Sequence, residues 1–200
     1  MIDSTETLRQ LYPQPNARAL RKQLAQLDQH CKRFIELTPF VVISSAGSDG
    51  RLDASPRGGE AGFIKVVNDT TLWIPDSPGN NRLDSLSNII ETGRIGLLFL
   101  IPGVDETLRI NGRARVTADP VKTHAFATEK RVTQVIIDVT VEEAYLHCAK
   151  ALMRSKLWAD ENLRERSILP TMGQMINDQT GVSGPAEPQE AMIARYERDL

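Results

Sequence analysis

Two short segments carry the residue types best suited to holding an anion. Asp53-Ala54-Ser55-Pro56-Arg57-Gly58-Gly59 and Pro75-Asp76-Ser77-Pro78-Gly79-Asn80-Asn81-Arg82 each combine small or amide residues with one arginine. Serine and glycine let backbone amides approach an anion closely, and a guanidinium offers a planar fork that matches phosphate oxygens. One such charge-assisted contact contributes about 1.5–3 kcal/mol. Each segment also has a plainer reading. The first is a polar turn leaving a strand, with Arg57 in water. The second is ordinary helix capping by Asn80 or Asn81, since asparagine is a common N-cap. The second segment, however, opens a helix, whose free N–H groups and dipole favour anions. Each follows a β-rich run, and adjacent hairpins can bring both to one spot. Together they predict a shared phosphate site.

Other candidates are more ambiguous. Arg109, Asn111, Arg113 and Arg115 line one face of an alternating run, either as the wet side of a strand or as a ligand contact. Arg154-Ser155-Lys156-Leu157-Trp158 reads equally as a charged helix end or as a site where Trp158 stacks on a flat ring. The glycines around Gly47 and Gly50 lack the spacing of a dinucleotide fingerprint or a P-loop. His30, His124 and His147 show no zinc-like pairing, and no metal site is expected. His147-Cys148 reads as a helix fragment with the cysteine facing the core. No serine elbow or Cys/His constellation stands out. Catalysis, if present, therefore rests on a bound cofactor.

Short β-rich runs must position these segments. Leu20, Leu24, Leu27, Cys31 and Phe34 recur at helical spacing, predicting an N-terminal helix that Thr38-Pro39 stops. Residues 40–45 and 51–55 read as a hairpin about Gly47-Ser48-Asp49-Gly50, and residues 63–67 and 70–74 as a second about Asn68-Asp69. Residues 81–91 read as a helix. Residues 94–101 are apolar after Arg94, as in a strand covered on both faces. Residues 106–116 alternate, with Leu108, Ile110, Ala114 and Val116 on the apolar side. A last strand is expected over residues 132–140. Thr140-Val141-Glu142-Glu143 then resembles a capping box opening a helix with Val141, Tyr145, Cys148 and Leu152 on one face. A linker over residues 183–188 precedes a terminal helix carrying Met192, Tyr196 and Leu200. Strands joined by short turns predict an antiparallel barrel, mainly β with added helices.

With 200 residues, 40% hydrophobic and 5% aromatic, the chain suits one domain with an aliphatic core. A net charge of −2 gives no overall attraction to nucleic acid or anionic membrane. The polar, acidic start and the absence of a long apolar run predict a cytoplasmic protein with no membrane partner and with Cys31 and Cys148 reduced.

The order of these motifs resembles the FMN-binding split-barrel proteins related to pyridoxamine 5′-phosphate oxidase. The resemblance spans residues 37–158. It rests on Asp53-Ala54-Ser55-Pro56-Arg57-Gly58, Leu72-Trp73-Ile74-Pro75-Asp76, Gly79-Asn80-Asn81-Arg82, Gly96-Leu97-Leu98-Phe99-Leu100-Ile101-Pro102-Gly103, Leu108-Arg109-Ile110-Asn111-Gly112-Arg113-Ala114 and His147-Cys148-Ala149-Lys150. It implies a single FMN-binding split β-barrel domain over residues 1–200. Residues 1–37 would form an N-terminal helical segment, 38–158 the barrel core and 159–200 a C-terminal helical extension. It further implies a homodimer with FMN at the subunit interface and a small-molecule substrate or electron donor. Ser55, Arg57, Gly58, Asn80, Asn81 and Arg82 would hold the phosphate. Trp73 and Ile74 would lie along the flavin. Arg109 and Asn111, or Lys156 and Trp158, would reach it from the partner. The oxidase itself carries an Arg-x-Val-Leu-Leu-Lys type segment at the first loop, where this chain has Asp53-Ala54-Ser55-Pro56-Arg57-Gly58. The resemblance therefore points to another flavoprotein branch and a flavin-dependent oxidoreductase. A non-catalytic FMN- or haem-binding protein and a deazaflavin-dependent reductase are its alternatives.

Overall fold

β-branched and apolar runs bounded by turn residues form seven strands in the computed structural model, which describes residues 1–127 and 133–198. They are β1 (Phe40–Ala46), β2 (Leu52–Gly58), β3 (Lys65–Asn68), β4 (Thr71–Pro75), β5 (Arg94–Leu100), β6 (Thr107–Thr117) and β7 (Ile136–His147). All pair antiparallel in one sheet of order β2-β1-β5-β6-β7-β4-β3. The β1–β2 turn closes with the Gly47 N–H donating to the Arg51 carbonyl at 2.9 Å. Gly50 in that turn has φ +82°, a conformation glycine adopts without steric strain.

The compact unit Met1–Ser155 contains this sheet and six helices, α1 (Thr5–Leu11), α2 (Ala17–Arg21), α3 (Gln29–Leu37), α4 (Asp84–Thr92), α5 (Pro120–His124) and α6 (Lys150–Ser155). Its core gathers the inward side chains of the strands, among them Val41, Ile43, Leu97, Phe99, Leu108 and Ile110. Cys31 and Ile35 of α3 and Leu86 and Ile89 of α4 complete it. Each such aliphatic side chain contributes roughly 1.5–3 kcal/mol when fully withdrawn from water. Opposite Asn111 and Gly112, β7 carries the extra residue Glu142 as a bulge, and a Cβ at residue 112 would collide with the Thr140 carbonyl. β2 lies at an edge of the sheet, which accommodates Pro56 and its missing N–H opposite Val42.

Four expectations give way here. The N-terminal helix is broken: α2 stops at Arg21 and Leu24 pairs by backbone hydrogen bonds with Ala144, so Cys31 reaches the core from the separate helix α3 and Leu27 from the stretch just before it, while Leu20 stays exposed. β5 is covered on one face only, since Ile95, Leu97 and Phe99 are buried and Leu98 is exposed. The last strand starts at Ile136 and runs through the presumed capping box to His147, so the helix expected from Thr140 does not form. Pairing with all of β6 outweighs the local capping signal there. Cys148 is accordingly exposed; Cys31 is buried, and both are free thiols. Burial pushes the Cys31 thiol up to about 11. The fourth change concerns the start of α4, described with the site. Residue 132, the expected start of the last strand, lies outside the described residues.

The second compact unit, Lys156–Leu200, contains α7 (Met172–Thr180) and α8 (Gln189–Tyr196). The stretch expected to be a linker joins these two helices and is tied down, because both carboxylate oxygens of Glu187 accept from Arg195. Leu200 lies outside the described residues. Among the described residues no helix is long and apolar enough to cross a membrane.

Phe99, fully buried in β5, is the largest of the enclosed core side chains. Phe99→Ala is expected to destabilise the protein by about 3–5 kcal/mol, read as a lower urea midpoint at unchanged slope. An unchanged midpoint would place Phe99 outside the cooperative core.

Candidate functional site

On β2 the alternation is inverted. Asp53, Ser55 and Arg57 lie opposite Ser45, Ile43 and Val41, which are buried, so these polar side chains share the core-facing side of the sheet. Their neighbours Leu52, Ala54, Pro56 and Gly58 face out. The sheet order separates β2 from β4 by four strands. Even so, Arg57 Nη2 stands 3.9 Å from Asp76 Oδ1, in the loop after β4. The sheet has therefore curled until its first edge meets that loop, leaving a seam with no ladder across it.

A cleft of about 630 Å³ occupies the seam, within the roughly 300–1,000 Å³ usual for small-molecule sites. Both anion-friendly segments line it: Asp53 to Gly58 from β2, and Asp76 to Arg82 from the loop. Arg57 is four-fifths buried, and its guanidinium donates to Ser55 Oγ and to the Pro56 carbonyl at 3.0 Å. The loop is shaped by Asn80, whose Oδ1 accepts from the Arg82 N–H at 3.0 Å. Asn81 and Leu83 both take left-handed conformations, with φ 57° and 58°. Asparagine tolerates this region, whereas for leucine it stores strain of order 1–3 kcal/mol.

The start of α4 departs from expectation. The helix begins at Asp84, and its N-cap position is held by Leu83, which offers no side-chain hydrogen bond. Neither Asn80 nor Asn81 caps it, because Asn80 closes the preceding turn. The uncapped first turn, Asp84 to Leu86, faces the cleft. Such a turn presents backbone donors and the positive end of the helix dipole.

Each aspartate of the cleft has an arginine or a hydroxyl donor beside it. Arg82 Nε meets Asp84 Oδ2 at 2.7 Å, and this hydrogen bond raises the guanidinium pKa further above its ordinary value. Ser85, almost wholly buried, donates its hydroxyl to Asp53 Oδ2. Two arginines thus face three aspartates, Asp53, Asp76 and Asp84.

The remaining residues singled out in the sequence lie elsewhere. Ile74 is fully buried in the core, and Trp73 projects to the opposite side of β4. There Lys122 Nζ stands 5.4 Å from the Trp73 ring centre, and the indole N–H is buried with no partner among the described residues. Arg109 and Asn111 are on the outer face of β6, where Asn111 Nδ2 donates to Glu143 Oε2 at 2.6 Å. Lys156 and Trp158 belong to the second unit, with Lys156 paired to Glu161 at 2.6 Å. Three polar cleft residues carry no signal singled out in the sequence, Asp84, Ser85 and Gln134. Ser85 was legible in principle as the first inward position of α4; Gln134 sits in no motif. No group of three or more metal-ligating side chains occurs among the described residues.

A curled antiparallel sheet with a polar cleft at its unpaired seam defines a split barrel. Residues 27–148 match the family described as pyridoxamine 5′-phosphate oxidase, and the chain belongs to this FMN-binding family. Among solved structures it is similar to HupZ from Group A Streptococcus, at 14% identity and TM-score 0.51, over 60% of this chain and 93% of that one. It is also similar to the General Stress Protein 26 of Bacillus anthracis (13% identity, TM-score 0.42, 59% and 94% covered) and to an FMN-binding protein of Syntrophomonas wolfei (12% identity, TM-score 0.41, 58% and 83% covered). The likeness to HupZ speaks for the fold alone. No match was found among curated proteins.

Ser85→Ala removes the donor to a half-buried carboxylate. A loss of about 1.5–3 kcal/mol in unfolding free energy is expected by urea denaturation. A change within error would mean that Asp53 is held by other groups.

Proposed function

We propose that this protein binds FMN with the phosphate in the seam cleft and works as a flavin-dependent oxidoreductase on a small-molecule substrate or electron donor. The observation that supports this is the meeting of two guanidinium-bearing segments in one cleft, Ser55-Pro56-Arg57-Gly58 and Asn80-Asn81-Arg82. Ser55, Arg57 and Gly58 would hold the phosphate from β2, and Asn80, Asn81 and Arg82 from the loop, beside the uncapped turn of α4. The residues suit a phosphate despite the extra aspartate. The Asp53 and Asp84 carboxylates already accept from Ser85 and Arg82, and Asp76 lies against Arg57. Bound FMN would supply hydride chemistry at its ring; the chain's own part is to fix the cofactor and exclude water. Trp73, directly ahead of the loop, is the proposed flank for the ring.

The assembly we propose is a homodimer in the cytoplasm. Phe40, Val42, Leu98 and Leu100 stand beside one another on the outer face of β1 and β5, with Phe40 and Leu98 more than a third exposed. A second copy would withdraw this apolar strip from water. Arg109 and Asn111 border the strip, opposite Leu98 and Gly96, and would approach the partner's cofactor. Lys156 and Trp158 are the further candidates from the second unit.

Purified protein is expected to be yellow and to release FMN on denaturation; colourless protein that takes up no added FMN would refute the proposal. Arg57→Ala and Arg82→Ala should weaken FMN by at least about tenfold each while leaving riboflavin nearly unchanged, because only FMN carries the phosphate. Equal losses for both ligands would remove the phosphate from the seam. Leu98→Lys should shift the protein from dimer to monomer in sedimentation velocity; an unchanged dimer would place the interface elsewhere.

A further inference from the structure

A concentration of positive charge stands apart from the seam cleft, where β6 begins and β7 ends. The β6–β7 register sets Arg109 opposite Tyr145 and Thr107 opposite His147. Lys22, at the end of α2, donates its ammonium to the Leu146 carbonyl at 2.9 Å and lies 4.3 Å from the centre of the Tyr145 ring. The Arg109 guanidinium carbon lies 5.0 Å from the same centre, and the His147 ring meets Tyr145 edge to face at 4.8 Å. One tyrosine therefore gathers a lysine, an arginine and a histidine from three places in the chain.

The carboxylate available to them does not balance this charge. Glu143 is 3.8 Å from Arg109 Nη2, a long contact, and its Oε2 is taken at 2.6 Å by Asn111. Arg109 Nε is buried with no hydrogen-bond partner among the described residues. Apart from its long contact with Glu143, the Arg109 guanidinium keeps donors in hand, and its side chain is more than a third exposed. His147 senses the same imbalance. Its pKa is held below the ordinary imidazole value, first by burial and then by the charges of Arg109 and Lys22.

We propose that Lys22, Arg109 and His147, arranged about Tyr145, form a binding site for the carboxylate or phosphate group of a small anionic molecule. Lys22 supplies a point charge, Arg109 the planar fork, and His147 a ring nitrogen at the rim. Both cations stand close to the one tyrosine ring, at 4.3 and 5.0 Å from its centre. The site stands whether or not the seam holds FMN. Where FMN is bound, the inference gives the substrate its charge: an anion rather than a neutral or cationic molecule.

The full-length protein, with whatever cofactor it retains, provides the test. The His147 imidazole is followed by NMR through a pH titration in benzoate, in inorganic phosphate, and in chloride at matched ionic strength. A bound oxyanion favours the imidazolium, so the His147 midpoint should rise saturably with benzoate or phosphate and not with chloride. The tighter of the two identifies the group. Lys22→Gln and Arg109→Gln should each weaken the effect at least about tenfold, with Arg109→Lys intermediate because charge is kept and the fork is lost. Circular dichroism, unchanged in the variants, establishes that the fold is intact. No saturable rise, or an equal rise in both glutamine variants, overturns the proposal.

Discussion

The constraint on which the molecule depends is the polarity of one strand's inner face. Val41 and Ile43 of β1 are fully buried, yet their partners across the ladder are Arg57 and Ser55. Had β2 presented aliphatic side chains there, the curled sheet could have sealed over its core. Charged groups cannot be enclosed among aliphatic ones without strong compensation, so the barrel stays open along this line. Compensation comes from Ser55 and the Pro56 carbonyl and, across the seam, from Asp76. The same choice of residues thus opens the barrel and furnishes the opening.

Electrostatic economy shapes what that opening can recognise. Three aspartates and two arginines would repel a dianion if the carboxylates were exposed to it. Instead Asp53 and Asp84 are engaged by neighbours, and the uncapped first turn of α4 adds aligned backbone dipoles. Recognition by such a site depends on orientation more than on net charge. The left-handed Leu83 keeps that turn free of a competing side-chain oxygen, and its strain is the counterpart of that arrangement.

Much of this was legible in the residues, and the reasons for the rest are physical. The hairpins around Gly47-Ser48-Asp49-Gly50 and Asn68-Asp69 and the alternation of β6 were readable because they are local. So were the two anion-friendly segments. Their meeting was expected from adjacent hairpins, but its actual route was not readable: the hairpins stand at opposite ends of the sheet, and the curl that joins them depends on pairings between strands far apart in sequence. The inversion of β2 was equally hidden: alternation gives two faces without saying which is inside. Thr140-Val141-Glu142-Glu143 misled because a local capping pattern competes with a long ladder and loses. Leu24 misled in the same way, since a single bridge to Ala144 interrupts an otherwise helical periodicity.

Pro56 has a consequence beyond the strand that holds it. The rim of a sheet offers a row of unsatisfied main-chain groups, and a strand from another molecule can dock there and seed aggregation. Proline withdraws one donor from that row in the middle of β2, and the inward turn of Asp53 and Arg57 places charge directly behind it. The open rim of the sheet is thereby made inhospitable to a stray polypeptide.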